Sequence, residues 1–310
     1  MGATISNSTD ALPSDVTAST APPALKSSPQ HSLTFSLPDK PLIVIEPNRT
    51  WSSHDLIDLW AYRELLYFLI WRDVKVRYKQ AVLGVFWVVL QPLMTTLIFT
   101  IFLGYLARIP TSGIPYPLLV YAGILPWTFF SAAVITSGNS LVGNAHLITK
   151  VYFPRLIVPM AAVGARLVDF AIAFLILIGM MIYYHVPVGW NIVMLPGLIV
   201  LNTLLALGAS FLLSAINVKY RDIGAALPVV IQFWVYVSPV LYPTSLVPPK
   251  WQSLYMLNPL VGIIEGFRSS ILNLSFNWMA LGISIAFTAA VLICSAYVFR
   301  RVEKSFADVI

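Results

Sequence analysis

The sequence predicts an all-α integral membrane protein with six transmembrane helices. A cytoplasmic interface helix precedes them, and an extracellular re-entrant helical hairpin lies between helices five and six. Composition is the first observation behind this fold class. Of the 310 residues, 58% are hydrophobic and only 10% are charged, whereas soluble domains carry about 25% charged residues. The second observation is the pattern, because uncharged apolar runs of membrane-spanning length alternate with short basic segments.

The first fifty residues differ from the rest of the chain. Residues 1–50 are rich in Ser, Thr, Ala and Pro and show no helical periodicity, so we expect a disordered cytoplasmic tail. No basic segment precedes an apolar one there, which argues against a signal peptide. Residues 51–310 form the predicted transmembrane domain. It begins with an amphipathic helix over residues 51–70, whose apolar residues recur at helical spacing and which we expect to lie in the membrane interface.

The six spans and the hairpin follow from the lengths of the apolar runs, since a helix needs about 20 apolar residues to cross the hydrocarbon core. The predicted spans are residues 82–106, 117–137, 156–184, 191–216, 223–241 and 278–299. Residues 246–274 hold two apolar pieces that are each too short to span and that Asn258-Pro259 separates. We therefore predict a re-entrant hairpin there rather than a seventh span.

The distribution of Lys and Arg predicts the orientation. With six spans, twelve cationic residues fall on the cytoplasmic flanks and three fall outside, and short cytoplasmic flanks collect Lys and Arg. Four of the twelve, within residues 72–79, immediately precede the first apolar run. Both termini are therefore expected in the cytoplasm, and orientation explains the net charge of +6 better than nucleic-acid binding does.

The sequence offers little for catalysis. It contains no phosphate-binding G-x-x-x-x-G-K-[ST] loop, and its four histidines and single cysteine are too scattered for a metal site. The two carboxylates in or near membrane segments, Asp169 and Glu265, each have a cation three residues away, Arg166 and Arg268. We expect ion pairs at this spacing. The first pair is either a polar gate element or a structural pair, and the second either lines an exit vestibule or is satisfied internally.

Two predicted spans carry mixed polar and aromatic faces. Polar groups in lipid need partners, so these faces should turn toward protein or water, and aromatic rings could stack on sugars. Ordinary helix packing and interfacial aromatic belts are the alternative. The candidate lining residues are Trp87, Gln91, Thr95, Phe99 and Phe102 in the first span, with Gln232 and Tyr236 in the fifth.

An ordered series of motifs extends along the chain. It comprises WRDVKVRYKQ at 71–80, Leu83-Gly84, Trp87, QPL at 91–93, ITKVYFPR at 148–155, VKYRDI at 218–223, LNPL at 257–260 and EGFR at 265–268. The series resembles the membrane permeases of polysaccharide-exporting ABC transporters, which export O-antigen, capsule and teichoic acid chains. The resemblance covers roughly residues 50 to 310 and leaves out the tail.

The resemblance implies a homodimeric permease of a bacterial inner membrane, with a channel at the dimer interface lined largely by spans one and five. It implies two copies of a separate ATP-binding subunit that bind ATP and Mg, so this chain would be no enzyme and would hold no cofactor. The substrate would be a lipid-linked polysaccharide leaving the cytoplasmic leaflet. Membrane lipids are further expected partners, and nucleic acid is not.

In this family the interface helix and the loops after spans two and four meet the ATPase, and these correspond here to residues 51–70, 139–155 and 217–222. The candidate coupling residues are His146, Lys150, Arg155, Lys219, Tyr220, Arg221 and Asp222. The rival functions are a drug or small-lipid exporter of related architecture, a membrane-embedded glycosyltransferase and a polytopic scaffold.

Overall fold

A computed structural model describes residues 59–79, 84–108 and 113–303, all within one compact unit that spans Trp51–Ile310. The predicted tail at 1–50 and the first eight residues of the predicted interface helix lie outside the described residues. Every regular element in the described part is a helix, and none is a strand. The all-helical fold class is therefore confirmed.

The helices alternate between long apolar segments and short connecting ones. In chain order they are α1 (Arg63–Lys79), α2 (Gly84–Phe99, continued by a π-helical segment Thr100–Leu106), α3 (Tyr116–Gly138), α4 (Ser140–Gly143), α5 (Ala145–Lys150), α6 (Ile157–Tyr183), α7 (Leu195–Lys219, preceded by a 3-10 turn Trp190–Met194), α8 (Asp222–Val237), α9 (Pro249–Met256, after a 3-10 turn Thr244–Leu246), α10 (Pro259–Leu272) and α11 (Trp278–Glu303).

Five of the described helices are long and apolar enough to cross a membrane: Val85–Leu106, Tyr116–Gly138, Ile157–Tyr183, Trp190–Lys219 and Trp278–Glu303. They match predicted spans one, two, three, four and six. The predicted fifth span corresponds to α8, which is apolar but has 16 residues. At 1.5 Å per residue it is about 24 Å long, less than the roughly 30 Å of a hydrocarbon core. The six-span topology therefore stays a prediction.

The end of α8 has a local cause. The apolar sequence continues to Leu241, but the helix ends at Val237 and Ser238 is extended, with φ −112° and ψ 149°. Ser238 precedes Pro239, and a residue before proline is pushed out of the helical region by a clash with the proline ring. Residues 238–241 are buried all the same, so the chain leaves the helix while remaining in the protein interior.

Helix α3 is the centre of the bundle. It packs against α2, α6, α7, α8 and α10, and Tyr121 and Phe130 are among its fully buried side chains. The Tyr121 hydroxyl donates to the Ala173 carbonyl of α6 at 2.9 Å, and the Asn202 amide of α7 donates to the Pro126 carbonyl at 3.0 Å. Because lipid tails are as apolar as these side chains, such close packing and interhelical hydrogen bonds supply most of the association.

A second hydrophobic cluster lies apart from this core, and we refer to it as the loop-side cluster. It joins α1, the segment after α3, the start of α6 and the ends of α7 and α11. Its buried members are Leu69, Leu141, Ile148, Phe153, Ile157, Val158, Ala161, Ala215, Val218 and Phe299. The segments that the sequence predicts to face an ATPase are thus packed against one another.

Helices α9 and α10 occupy the predicted hairpin. Asn258 caps α10, since its side-chain oxygen accepts from the Leu260 amide at 3.1 Å, and Pro259 takes the first helical position. Asn273 ends the helix in the left-handed conformation, with φ 53°. Helix α10 packs on α3, α7 and α11 and is buried along most of its length. Its position relative to a bilayer stays a prediction.

Candidate functional site

The stripe predicted on the first span faces mostly outward. Trp87 and Phe102 are each 58% exposed, and Gln91 is exposed as well. Thr95 donates to the Gln91 carbonyl at 2.9 Å, so its hydroxyl is satisfied within the helix. Phe99 instead packs partly against the α3 core. Three of the five candidates therefore lie on an open face, one is internally satisfied and one belongs to the core.

The predicted residues of α8 are also exposed. Tyr236 is 60% exposed and Gln232 lies one turn before it on the exposed part of the helix. Helices α2 and α8 both pack against α3, so each presents an outer face around the same central helix. Among the described residues, the side-chain amides of Gln91 and Gln232 make no hydrogen bond. In lipid an unpaired amide costs about 1–3 kcal/mol, which favours a partner or water at these faces.

The candidate coupling residues lie on the surface around the loop-side cluster. His146, Lys150, Lys219, Tyr220, Arg221 and Asp222 are all exposed. The Lys219 ammonium lies 5.3 Å from the centre of the Tyr220 ring, a cation–π arrangement. Arg155 is only half-buried, and its Nη1 donates to the Glu303 carbonyl of α11 at 2.7 Å. Arg155 therefore also joins the segment after α5 to the last helix.

Asn217 connects the two predicted loops. Its Nδ2 donates to the Gly138 carbonyl at 2.9 Å and to Asn139 Oδ1 at 3.1 Å, and its Oδ1 accepts from the Gly224 amide at 2.9 Å. The residue is 2% exposed. One buried side chain thus contacts the end of α3, the end of α7 and the first turn of α8. This role could not be predicted from the sequence, because an isolated asparagine near a helix end has no diagnostic spacing.

Asp169 accepts from three donors on two helices. Its Oδ2 accepts from Arg166 Nη1 at 3.0 Å and from Arg77 Nη1 at 2.5 Å, and its Oδ1 accepts from the Tyr78 hydroxyl at 2.5 Å. Arg166 also donates to the Thr136 hydroxyl of α3 through Nε at 3.0 Å and Nη2 at 2.6 Å. The Arg166–Asp169 pair is therefore part of a larger network that joins α1, α3 and α6.

The participation of α1 in this network was not predicted. Arg77 and Tyr78 belong to the basic segment that indicated the orientation and the family resemblance but no contact with α6. Burial, followed by the hydrogen bond to Asp169, raises the pKa of Tyr78, so its phenol stays protonated and donates. Arg72 attaches the same helix elsewhere, because its Nη2 donates to Asn144 Oδ1 at 2.9 Å while also contacting the neighbouring Asp73 on α1. Helix α1 is thus fixed by polar contacts to α6 and to the segment between α4 and α5.

Arg268 binds carbonyls rather than the carboxylate expected as its partner. Its Nε donates to the Leu119 carbonyl at 3.1 Å, Nη1 to Tyr242 at 3.0 Å and Nη2 to Val240 at 2.8 Å. Glu265 accepts instead from Thr244 and, at 3.4 Å, from Asn277. A direct pair between Glu265 and Arg268 is not among these bonds, because the guanidinium points to the non-helical segment after α8.

The electrostatics of Arg268 and Glu265 follow from burial. Burial lowers the pKa of Arg268 to about 10 and raises the pKa of Glu265. Arg268 therefore stays cationic at neutral pH although it is only 5% exposed, and the three carbonyl dipoles solvate its charge. This contact attaches α10 to the start of α3 and to the segment that follows α8.

Within the residues that the structure describes, no group of three His, Cys, Asp or Glu side chains could hold a metal ion. The absence of a catalytic or metal site in the whole chain stays a prediction. The features that the structure does bring together are two exposed helix faces and a polar network around the loops.

Comparison with known proteins identifies the family. A model described as ABC-2 type transporter matches residues 64–272. The chain is 28% identical over 215 residues to the O-antigen export system permease protein RfbA of Myxococcus xanthus, covering 68% of this chain and 82% of that protein. It is 25% identical over 252 residues to the protein of the same name from Klebsiella pneumoniae, covering 80% and 95%.

A further relative is the polysialic acid transport protein KpsM of Escherichia coli, with 22% identity over 251 residues, 76% of this chain and 93% of that protein. These identities are modest, but the matches extend through nearly the whole of each relative. They confirm the resemblance that the ordered motifs indicated. The family model also spans α1 to α10 without interruption, and the chain therefore belongs to the ABC-2 type transporter family.

Proposed function

We propose that this chain is the permease subunit of an ATP-driven exporter that moves lipid-linked polysaccharide across a bacterial inner membrane. The substrate class is O-antigen or capsule, and the channel lies between two copies of the chain. The observation that carries the proposal is the family match over residues 64–272, together with relatives named for O-antigen export and polysialic acid transport. These relatives are covered over 82% to 95% of their length.

The proposed topology has six spans with both termini in the cytoplasm. Helix α8 is the short fifth span, α1 belongs to the cytoplasmic interface helix, and α9 with α10 form a re-entrant hairpin on the outer side. The bias of Lys and Arg toward one side supports this orientation. Residues 238–241 support the shortened fifth span, because they are buried in protein, where non-helical backbone is tolerated at membrane depth.

The exposed faces of α2 and α8 support a channel between two copies. A second copy would cover the large apolar side chains that are open here, including Trp87, Phe102, Phe233 and Tyr236. It would also enclose Gln91 and Gln232 in a shared polar space that water and sugar hydroxyls can enter. Lipid alone would cover the aromatic rings but would leave both amides unpaired.

Cysteine cross-linking tests this arrangement. The exposed Cys294 is first replaced by Ala, and single cysteines are then introduced at Trp87, Tyr236 and, as a control, Ile293 of α11, which is more exposed than either. A flexible bis-maleimide linker, which can reach across the proposed channel, should give cross-linked dimers for the first two variants and monomers for the third. Dimers at Ile293 alone, or at none of the three positions, would contradict the proposed interface.

Two copies of an ATP-binding subunit are the proposed partners and would supply ATP and Mg chemistry. The exposed loops next to the loop-side cluster support this role, because they present positive charge. The residues concerned are His146, Lys150, Lys219 and Arg221. Co-purification of an ATP-binding subunit with the tagged chain is the most direct test. A chain that purifies alone from its native membrane would favour the scaffold alternative.

Export itself requires reconstitution. The permease and its ATP-binding subunit in vesicles should move lipid-linked polysaccharide when ATP is supplied, and reversing the charges of Arg221 and Asp222 together should lower export per ATP hydrolysed. Insertion into the membrane should be unchanged, since both residues are exposed. Transport of small drugs in place of polysaccharide would support the rival exporter, and unaltered export in the double variant would refute the coupling role.

A further inference from the structure

We infer that Asn217 is a positioning residue that makes the segment after α3, the end of α7 and the first turn of α8 move as one body. This inference rests on the proposed function, since it explains how movement of the ATPase-facing loops reaches a helix that lines the channel. It concerns three parts of the chain that lie up to 86 residues apart in sequence, from Gly138 to Gly224.

Each polar atom of the Asn217 side-chain amide takes part in a hydrogen bond. Both of its N–H groups donate, to the Gly138 carbonyl and to Asn139 Oδ1, while its oxygen accepts from the Gly224 amide. Asn139 is itself fixed, because its Nδ2 donates to the Ile135 carbonyl at 3.0 Å, which leaves its oxygen toward Asn217. Both N–H groups and the oxygen of the Asn217 side chain therefore have a partner. A buried amide that loses a partner costs about 1–3 kcal/mol.

The side chains around these hydrogen bonds are closely packed. A β-carbon at Gly224 would lie 2.4 Å from Asn139 Oδ1, so a side chain at this position of α8 would displace the Asn139 side chain. On one side Val218 belongs to the loop-side cluster, and on the other Leu227 belongs to the α3 core. In sequence, Asn217 thus lies next to a member of one cluster and ten residues before a member of the other.

We refer to the contacts of Asn217 with Gly138, Asn139 and Gly224 as the joint. Its position has a mechanical consequence. Exposed residues 219–222 follow Asn217 directly, and Asn139 begins the other loop. A partner that displaces either loop should also displace the first turn of α8, because breaking the joint would leave the buried Asn217 amide and the buried Gly138 carbonyl without partners. Two to four turns farther along α8 lie Gln232 and Tyr236, on its exposed face. The joint therefore connects the loop surface to the helix that carries that face.

The test replaces Asn217 by Asp, which is nearly the same size. Aspartate can still accept from the Gly224 amide, but it cannot donate, and its charge faces the Gly138 carbonyl and the Asn139 oxygen. The matched control is Asn202→Asp, on the same helix and 1% exposed. Asn202 likewise donates to a carbonyl of α3, that of Pro126 at 3.0 Å, but lies away from the loops.

Spin labels report the joint directly. In a Cys294→Ala background, labels at the exposed positions Thr149 and Val230 give the distance between the loop and α8, with labelled chains diluted by unlabelled ones. We expect a narrow distance distribution that ATP binding to the partner subunit leaves unchanged. Asn217→Asp should broaden it at least twofold, and Asn202→Asp should not. A narrow, unchanged distribution in Asn217→Asp would overturn the inference.

Transport gives the second readout and distinguishes failure of the proposed function from failure of the joint. Polysaccharide exported per ATP hydrolysed should fall at least fivefold in Asn217→Asp and less than twofold in Asn202→Asp. If the wild-type complex exports no polysaccharide while the labels behave as expected, the proposed function fails and the joint stands. If Asn217→Asp does not fold, Asn139→Ala removes one acceptor from a half-buried position and should broaden the same distribution, and wild-type behaviour of that variant refutes the joint.

Discussion

Replacement of Asp169 by Asn should destabilise the protein by about 3 kcal/mol. The carboxylate is 14% exposed, and the arginines that contact it, Arg77 and Arg166, are 24% and 25% exposed. Asparagine keeps the shape but leaves two guanidinium groups against one neutral amide. Removing one partner from a buried ion pair costs about 3–5 kcal/mol, and the partial exposure of these arginines places the effect at the lower end.

A second estimate gives the same magnitude. The two Nη1 atoms lie 2.5 Å and 3.0 Å from the same oxygen of Asp169, which places them within about 5.5 Å of each other. At an effective dielectric constant of 20, like charges at that distance repel by about 3 kcal/mol. In the wild-type protein the carboxylate offsets this repulsion, and in Asp169→Asn nothing does. An effect of this size changes the unfolding equilibrium constant more than a hundredfold.

Unfolding in detergent micelles with increasing denaturing detergent, followed by tryptophan fluorescence, measures this change. The matched control is Asp73→Asn on α1, whose carboxylate is 27% exposed and pairs with its neighbour Arg72, which is 36% exposed. A pair of that kind contributes about 0–1 kcal/mol. Adding Arg77→Gln to Asp169→Asn should recover part of the loss. A cost below about 1 kcal/mol for Asp169→Asn, or an equal cost for Asp73→Asn, would refute the reasoning.

Two further predictions concern α10 and its neighbours. Arg268→Lys should lower the free energy of unfolding by about 2–4 kcal/mol, because one ammonium group cannot reach three carbonyls set in a fork and leaves buried acceptors unpaired; wild-type stability in thermal unfolding would contradict this. Gly262→Ala should cost about 1–3 kcal/mol through overpacking, since its β-carbon would lie 2.3 Å from the Ala280 carbonyl. The control is Gly282→Ala, which meets nothing within 4 Å and should change stability by less than about 1 kcal/mol; equal losses in both variants would be the wrong outcome.

The sequence was sufficient for the long helices because their information is local. Apolar runs of spanning length predicted five membrane-length helices to within a few residues at most ends, and Asn258-Pro259 correctly marked the start of α10. The fifth predicted span was harder. Hydropathy continues to Leu241, whereas the backbone leaves the helix at Ser238 because of Pro239. The apolar composition up to Leu241 indicates that the segment is buried, but a buried segment need not be helical.

The polar networks could be predicted only where both partners lie on one helix. Arg166 and Asp169 are three residues apart, so their contact was accessible, but Arg77 is 92 residues from Asp169 and nothing in the order of residues connects them. Glu265 and Arg268 show the opposite error. Their spacing was suitable for a pair, yet the carbonyls of an irregular segment compete better for the guanidinium. The arrangement of segments in space decides such cases.

The choice of carbonyl partners makes the attachment of α10 independent of acidity and salt. An ion pair weakens when its carboxylate takes up a proton or when dissolved ions screen it. Backbone carbonyls do not titrate, and Arg268, whose pKa is about 10, stays charged at lower pH. A protein that lies between two compartments meets a different medium on each side. Arg268 would hold this helix in place in either of them, because its three hydrogen bonds to carbonyls do not include Glu265.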